Sequence, residues 1–497
     1  MSFRVLLSRA GSAATTASSP FRCRMPLKAK ILDPRIASRA QMSTKVNEVI
    51  KELPGDEPED VLFNNLYGLR TVELNRPAKY NALNGSMVRK IIPRLVEWER
   101  SDMANVIVMK GAGPAFCAGG DVAALAELNK AGAEGQKKSA EYFALEYKLD
   151  HYIATYQKPY ISFMDGITMG GGVGLSIHAP FRVATENTVF AMPETTIGFF
   201  PDVGASFFLP RMAGFVGTYL ALTSEKLMGA NAFYSGIATH YLHSTSLPIL
   251  ESRLAELRFR DYDSMEMRLK IIEMTIEEYA TGLPPLDREP IMLGGEIRKA
   301  IDRCFSKQTV PDIMAALQQE QGPTKGWADK TLATLHQRSP TAVHVALRQM
   351  QIGRDWNIAE AFEREHQIAA RFMQHPDFVE GVSAQLTKPR RTPAWQPASL
   401  EDVPAGGSIS EPFFQTGAPG APRKLQLMVD RETYNEYPHA YVGSPSETEV
   451  EHYVKNSRAT RKQIVEEFVQ RKRGRQGIKA IIEEILDRKT TKDAEGP

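Results

Sequence analysis

The first regular alternation of apolar and polar positions comes at Val61-Leu-Phe63 and Gly68-Leu-Arg-Thr-Val-Glu-Leu74, two strand-like runs that can pair as a hairpin around Asn64-Asn65. A polar loop follows, and Asn84 can cap a helix running to about Arg100. Asn105-Val-Ile-Val-Met109 reads as an apolar strand bounded by Gly111 and Gly113; it leads into Phe116-Cys-Ala-Gly-Gly-Asp121 and a helix through Leu128. A further helix over about 138–156 delivers the chain through Lys158-Pro159 to Tyr160-Ile-Ser-Phe-Met164, a short buried strand. Then comes Gly166-Ile-Thr-Met-Gly-Gly-Gly-Val-Gly174, five glycines in nine residues, with Leu175-Ser-Ile-His178 as the first turn of a helix. Phe181-Arg-Val-Ala184 is another core strand, and from about Ser206 the pattern is mostly helical up to Lys388-Pro389. Strands alternating with helices across glycine-marked junctions predict an α/β core of parallel strands covered by helices. In such sheets ligands gather beyond the carboxyl ends of the strands, so the loops Phe116–Asp121 and Gly166–Gly174 are expected to face one site.

Composition changes this picture mainly at the two ends. The 497 residues are 42% hydrophobic and 24% charged, with a net charge of only +2 and no apolar run long enough to cross a membrane. Nucleic-acid affinity would therefore need a local patch. The three cysteines, Cys23, Cys117 and Cys304, form no metal-ligand spacing and fit a reducing compartment. Residues 1–32 carry six Arg or Lys, many Ser, Thr and Ala, and no acid until Asp33. That is the pattern of a mitochondrial presequence over roughly residues 1–45, with a retained basic arm as the alternative. Beyond Lys388, Pro, Gly and Ser dominate through Pro422 and read as a linker. The chain thus divides into 1–45, a catalytic core over 55–250, a helical region over 251–400, a linker over 401–445 and a tail over 446–497. The tail opens on Ser446-Glu-Thr-Glu449, a capping-box spelling, followed by apolar residues at helical spacing.

The glycine run lets the backbone approach a ligand closely. It could cradle a phosphate, hold a carbonyl oxygen that becomes negative during reaction, or simply pack strand against helix. Glu194 and Asp202 lie among apolar residues and prolines in Phe190–Gly204, as solvated loop carboxylates or as partly buried acids. Other signals are weaker. Cys117 has no recognisable His partner and reads as a buried small residue. Gly174-Leu-Ser-Ile-His178 lacks the last glycine of a nucleophile elbow, His240-Tyr-Leu-His243 lacks further ligands for a metal, and Lys79 reads as an ordinary loop lysine.

Asn75-Arg-Pro, Ala115-Phe-Cys-Ala-Gly-Gly-Asp121 and the glycine run together resemble the crotonase superfamily of acyl-CoA enzymes. With Met192-Pro-Glu-Thr-Thr-Ile-Gly-Phe-Phe-Pro-Asp-Val-Gly204, the match over about residues 55–400 is similar to the 3-hydroxyisobutyryl-CoA hydrolase branch. The resemblance implies a ββα spiral core with a helical C-terminal region and an appended helical tail. It also implies hydrolysis of a short 3-hydroxyacyl-CoA thioester in valine breakdown in the mitochondrial matrix. By motif, the backbone N–H groups of Gly120 and Gly171 would form an oxyanion hole, and Glu194 and Asp202 would be the catalytic acids. We expect Glu194 to be the reacting group, as general base or nucleophile, with Asp202 activating or orienting water. Glu146 matches a substrate-contacting position. Enoyl-CoA hydratases carry a catalytic glutamate where this chain has Gly174, which turns the expectation from hydration to hydrolysis. No metal or redox cofactor is implied, because CoA arrives as part of the substrate; a homo-oligomer is compatible with the resemblance.

The tail suggests a second role. Between Arg458 and Lys479 stand eight basic residues flanking an apolar stripe, which could dock a partner and present charge to phosphates or could be solvated helix surface. Long-tailed fungal mitochondrial members that this chain resembles occur in the small subunit of the mitochondrial ribosome. An accessory ribosomal protein, active or not, is therefore the alternative function.

Overall fold

The computed structural model describes residues 50–260, 262–404, 409–416 and 423–490; the presequence expectation lies outside them. After an opening hairpin the chain builds two sheets largely by giving one strand to each in turn. β1 (Val61–Leu66) and β2 (Leu69–Leu74) form an antiparallel hairpin whose turn is Tyr67-Gly68 rather than Asn64-Asn65. The turn falls there because Gly68 meets Asn105, whose N–H donates to the Gly68 carbonyl at 2.7 Å and whose side chain leaves no room for a Cβ. After α1 (Gly85–Arg100), capped by the Asn84 side chain, come β3 (Val106–Gly111) and β4 (Ala115–Cys117), then α2 (Val122–Lys130) and α3 (Ala133–Ala154). The pattern repeats with β5 (Tyr160–Met164), β6 (Ile167–Met169) and α4 (Gly171–Ile177), and again with β7 (Phe181–Ala184) and β8 (Val189–Ala191). Two-residue strands β9 (Leu227–Met228) and β10 (His240–Tyr241) complete the sheets.

The first sheet has the order β1-β2-β3-β5-β7-β10 and is parallel after its hairpin; the second has the order β4-β6-β8-β9, parallel except at β9. This is the ββα spiral that the motifs imply. β3 explains why it is stable. Val106 and Val108 face a core shared with Leu250 and Ile272, whereas Ile107 and Met109 face Ile91, Leu149 and Tyr152 of α1 and α3. The glycine run carries one element that its composition hides. Ile167–Met169 is a strand, so the helix begins at Gly171, one turn earlier than the sequence reading places it.

Of the helices between Val216 and Leu386, those carrying Leu250 and Ile272 cover the first sheet, most of the others share the core of Phe190 in the second, and among these α5 (Ile358–Phe372) lies along α3. The described part of 401–445 runs along this body. Phe413 and Leu425 enter the main core, Arg431 pairs with Glu99 at 2.5 Å, and the Tyr434 hydroxyl donates to the Ala154 carbonyl at 2.9 Å. The tail then forms α6 (Glu447–Asn456), which has the capping box its sequence spells, followed by α7 (Arg461–Arg471) and α8 (Ile478–Lys489). Its apolar stripe is spent within the chain: Val450, Ile464, Phe468, Ile478, Ile482 and Leu486 bury Phe233, Tyr241 and Ala184 of the core.

Candidate active site

Parallel pairing of β4 with β6 brings the two glycine loops together at the carboxyl ends of adjacent strands. Gly119 (φ +110°) and Gly170 (φ +47°) have backbone conformations that side-chain-bearing residues rarely adopt. A Cβ on Gly119 would lie 3.5 Å from the Met169 carbonyl, and one on Gly171 would lie 3.5 Å from the Gly120 nitrogen. The N–H of Gly171 opens α4 and has no acceptor inside it. The first loop is braced from below. Leu83 and Gly120 form a parallel bridge, and the Arg76 guanidinium binds the Ala82 carbonyl at 2.6 Å, Glu57 at 3.1 Å and Asp121 at 3.2 Å. The Asn81 amide donates to the Ala112 and Ala115 carbonyls at 2.8 Å. The polar stretch after Asn75 is therefore the scaffold of the loop. Lys79 belongs to it too, paired with Asp121 at 3.3 Å.

Four carboxyl groups surround these glycines. Glu194 opens a short 3-10 turn after β8 and places Oε1 3.1 Å from the position a Gly170 Cβ would take. Glu146, on α3, abuts Gly171 so closely that even a methyl group there would displace it. Asp202 accepts a hydrogen bond from the Tyr147 hydroxyl at 2.7 Å. The fourth, Asp150, has no counterpart among the sequence-based expectations. It stands one helical turn beyond Glu146, with Oδ2 2.6 Å from where a Cβ on Gly174 would be. The space beside Gly174 is therefore filled from α3 rather than left empty. All four are buried: Glu146 is 1% exposed, Asp150 0%, Glu194 4% and Asp202 4%.

Burial without counter-charge fixes their protonation. Among the described residues no Lys or Arg pairs with any of the four. Loss of solvation, then the charge of Asp202, holds Glu194 and Glu146 well above the usual carboxylate range. Asp150 is raised by burial and then by Glu146 and Asp202. Asp202 is pushed up by burial, but only to about 7, because the Tyr147 hydroxyl stabilises its ionised form. It is the member of the set that ionises near neutral pH. Glu365 of α5 stands behind it and accepts from the Gly204 and Ser206 N–H groups at 2.7 and 2.9 Å. Those bonds shape the loop that carries Asp202.

The weaker candidates resolve into structure. Burial pushes the Cys117 thiol up to about 12, and the thiol donates to the Gly119 carbonyl at 3.6 Å. Ser176 turns back onto the Gly172 carbonyl at 2.9 Å, and both ring nitrogens of His178 are engaged, by Tyr437 at 2.8 Å and the Val203 carbonyl at 2.9 Å. The described residues contain no cluster of three or more His, Cys, Asp or Glu arranged to hold a metal. Asp150 was legible as the i+4 neighbour of Glu146 on one helix face. Tyr147 and Glu365 were not, since nothing local marks a residue that acts from another element.

Residues 69–413 match the family model for enoyl-CoA hydratase/isomerase. The chain belongs to that family. A small ribosomal subunit protein mS47 of Neurospora crassa is 57% identical over 97% of this chain and 96% of its own length. The mitochondrial 3-hydroxyisobutyryl-CoA hydrolases of Gallus gallus and Homo sapiens are 41% and 38% identical, over 70% and 74% of this chain and 87% and 93% of theirs. Among solved structures, a carnitinyl-CoA dehydratase from Mycobacterium thermoresistibile superimposes with a TM-score of 0.62 at 34% identity, covering 74% of this chain and 98% of its own. Like its hydrolase relatives, this family member is mitochondrial.

Proposed function

We propose that the protein hydrolyses the thioester of a short 3-hydroxyacyl-CoA, with 3-hydroxyisobutyryl-CoA as the first candidate. The observation that carries this reading is the placement of Glu194 over the paired glycine loops, with a second acid, Asp202, held by Tyr147 and ionising near neutral pH. The thioester oxygen would be held by the Gly120 and Gly171 N–H groups, which stabilise the charge it gains on attack. Ionised Asp202 takes the proton of the attacking water. Collapse of the tetrahedral species breaks the C–S bond, and protonated Glu194 returns a proton to the departing CoA thiolate. Atoms balance: one water enters, and free acid and CoA leave. Thioester release measured across short acyl-CoAs tests the reading, and no release from any of them would end it.

Two predictions follow from the geometry. With Asp202 as base, kcat/KM rises about tenfold per pH unit on the acid side and levels off above about 7. Asp202→Asn lowers the plateau and removes that limb; a limb unchanged in the variant would take the base role from Asp202. Gly171→Ala puts a methyl group on the Glu146 carboxyl and disturbs the oxyanion donor, so kcat falls on the order of 100-fold. Unaltered kcat in a variant with a native melting curve would count against Gly171.

The relative from Neurospora supports a second reading, because its similarity spans the tail as well as the core. An accessory role in the mitochondrial small ribosomal subunit would use the charges that the tail leaves outside. Lys462 is 85% exposed and Lys479 71%, and Arg473 is exposed as well. Other tail cations are engaged within the fold, Arg461 with Asp487 at 3.1 Å and Arg471 with Glu467 at 2.8 Å. Lys472 donates to the Tyr441 and Gly443 carbonyls at 2.5 and 2.7 Å, and buried Arg475 donates to the Val442 carbonyl at 2.6 Å. Charge reversal at Lys462, Arg473 and Lys479 should weaken co-sedimentation with ribosomal subunits and make the remainder less salt-sensitive. Unchanged sedimentation would leave the tail charges without that role.

A further inference from the structure

Asp150 is fully buried, and neither carboxyl oxygen has a hydrogen-bond partner among the described residues. Glu146 shares this condition at Oε1. Burying such groups without partners is costly, so their position calls for a reason. The two acids lie one turn apart on α3, and each covers a glycine of α4: Glu146 covers Gly171, and Asp150 covers Gly174. A side chain at either glycine would fill the place that the carboxyl group takes. The missing side chains thus let two carboxyl groups reach α4 in otherwise apolar surroundings, where Phe143, Tyr147 and Leu149 are buried on the same helix. Gly174 stands three residues past Gly171, about 4.5 Å along a helix axis. That is about the reach of a substituent two carbons beyond a carbonyl held at Gly171.

The titratable groups facing Asp150 are Glu146 on its own helix, Asp202 on the loop after β8 and Glu365 on α5; Cys117, Tyr142 and Tyr160 also feel its charge. No described cation or metal-ligating cluster accompanies it. A neutral carboxyl group offers one donor and one acceptor, the complement of an alcohol.

We propose that Asp150, with Glu146, binds a hydroxyl group on the acyl chain and selects hydroxyacyl over unsubstituted acyl-CoA. The role deepens the hydrolase reading and takes from it only the class of the thioester. A ligand hydroxyl satisfies both acids, whereas a plain acyl chain leaves them buried and unpaired, the asymmetry from which strong discrimination arises.

The test is calorimetric binding of two CoA analogues in which a methylene replaces the thioester sulfur, one carrying a 3-hydroxybutyryl group and the other a butyryl group. Wild-type protein should bind the hydroxyl analogue about 10- to 100-fold more tightly. Asp150→Leu should bring the two within about threefold by weakening the hydroxyl analogue alone. Asp150→Asn, whose amide also donates and accepts, should keep most of the difference. Equal affinities in wild-type protein overturn the proposal without recourse to any variant, as does full discrimination in Asp150→Leu. Thioester turnover is measured on the same preparations. Absent turnover with intact discrimination removes the hydrolase reading and leaves Asp150 as the hydroxyl-binding residue.

Discussion

Glu194→Gln should abolish thioester release, lowering kcat at least about 10³-fold, while the protein folds and binds CoA within about threefold of wild type. The expectation follows from where the carboxyl group is and what state it is in. It lies against Gly170, at the mouth of the two loops whose N–H groups would hold the thioester oxygen. Burial and the neighbouring charge of Asp202 keep it protonated in the folded protein. Glutamine has the same size and is neutral, so the buried site loses neither packing nor a charge partner. What it loses is a proton that can be given up. A rate loss with an unshifted melting temperature therefore separates chemistry from structure. Release at the wild-type rate would transfer the reaction to Asp202 and Asp150 and undo the assignment of Glu194. The oxyanion donors are untouched, so residual turnover above the uncatalysed rate is compatible with the expected result.

How far the site could be read without coordinates depended on whether each residue's signal was local. The glycine loops declared themselves, because positive φ at Gly119 and Gly170 and the contacts made by Gly171 admit little else. The strands β5 and β7 were equally plain as short apolar runs. β6 was not, since Ile167-Thr-Met169 sits inside a glycine-rich stretch and becomes a strand only by pairing with β4 and β8. The hairpin turn slipped for a related reason. Asn64-Asn65 has turn composition, but the close approach of Asn105 selects Gly68. Asp150 shows in the sequence only as the i+4 neighbour of Glu146, and its pairing with Gly174 does not show at all. An absent side chain suggested an absent carboxylate, whereas α3 supplies one through space. Glycine in α4 and acid in α3 are two halves of one feature, and only packing joins them.

The tail carries the largest expected effect on stability. A chain ending at residue 445 should melt about 5–10 °C below the full protein or aggregate on expression. Removing α6, α7 and α8 uncovers Phe233 and Tyr241, which lie beneath Ile478, Ile482 and Phe468. Each large apolar side chain returned to water costs about 1.5–3 kcal/mol, and the total stability of a folded protein is only about 5–15 kcal/mol. Arg475 adds to the loss. It is buried, donates to the Val442 and Thr239 carbonyls, and stands 3.4 and 3.7 Å from Glu273 and Glu277. Without it, Glu277 loses the cation that lowers its pKa. Phe468→Ala alone should cost about 3–5 kcal/mol, whereas charge reversal at Lys462, Arg473 and Lys479 should move the melting temperature by less than about 2 °C. This contrast decides how ribosome association can be examined. Truncation would disturb the core and the surface together, so lost sedimentation in a truncated chain would say nothing about the tail as a contact. The charge-reversed protein keeps the core covered and changes only what a partner would meet. A 445-residue chain melting with the full protein would show that α6, α7 and α8 add nothing to the body, and truncation would then be as clean a probe as charge reversal.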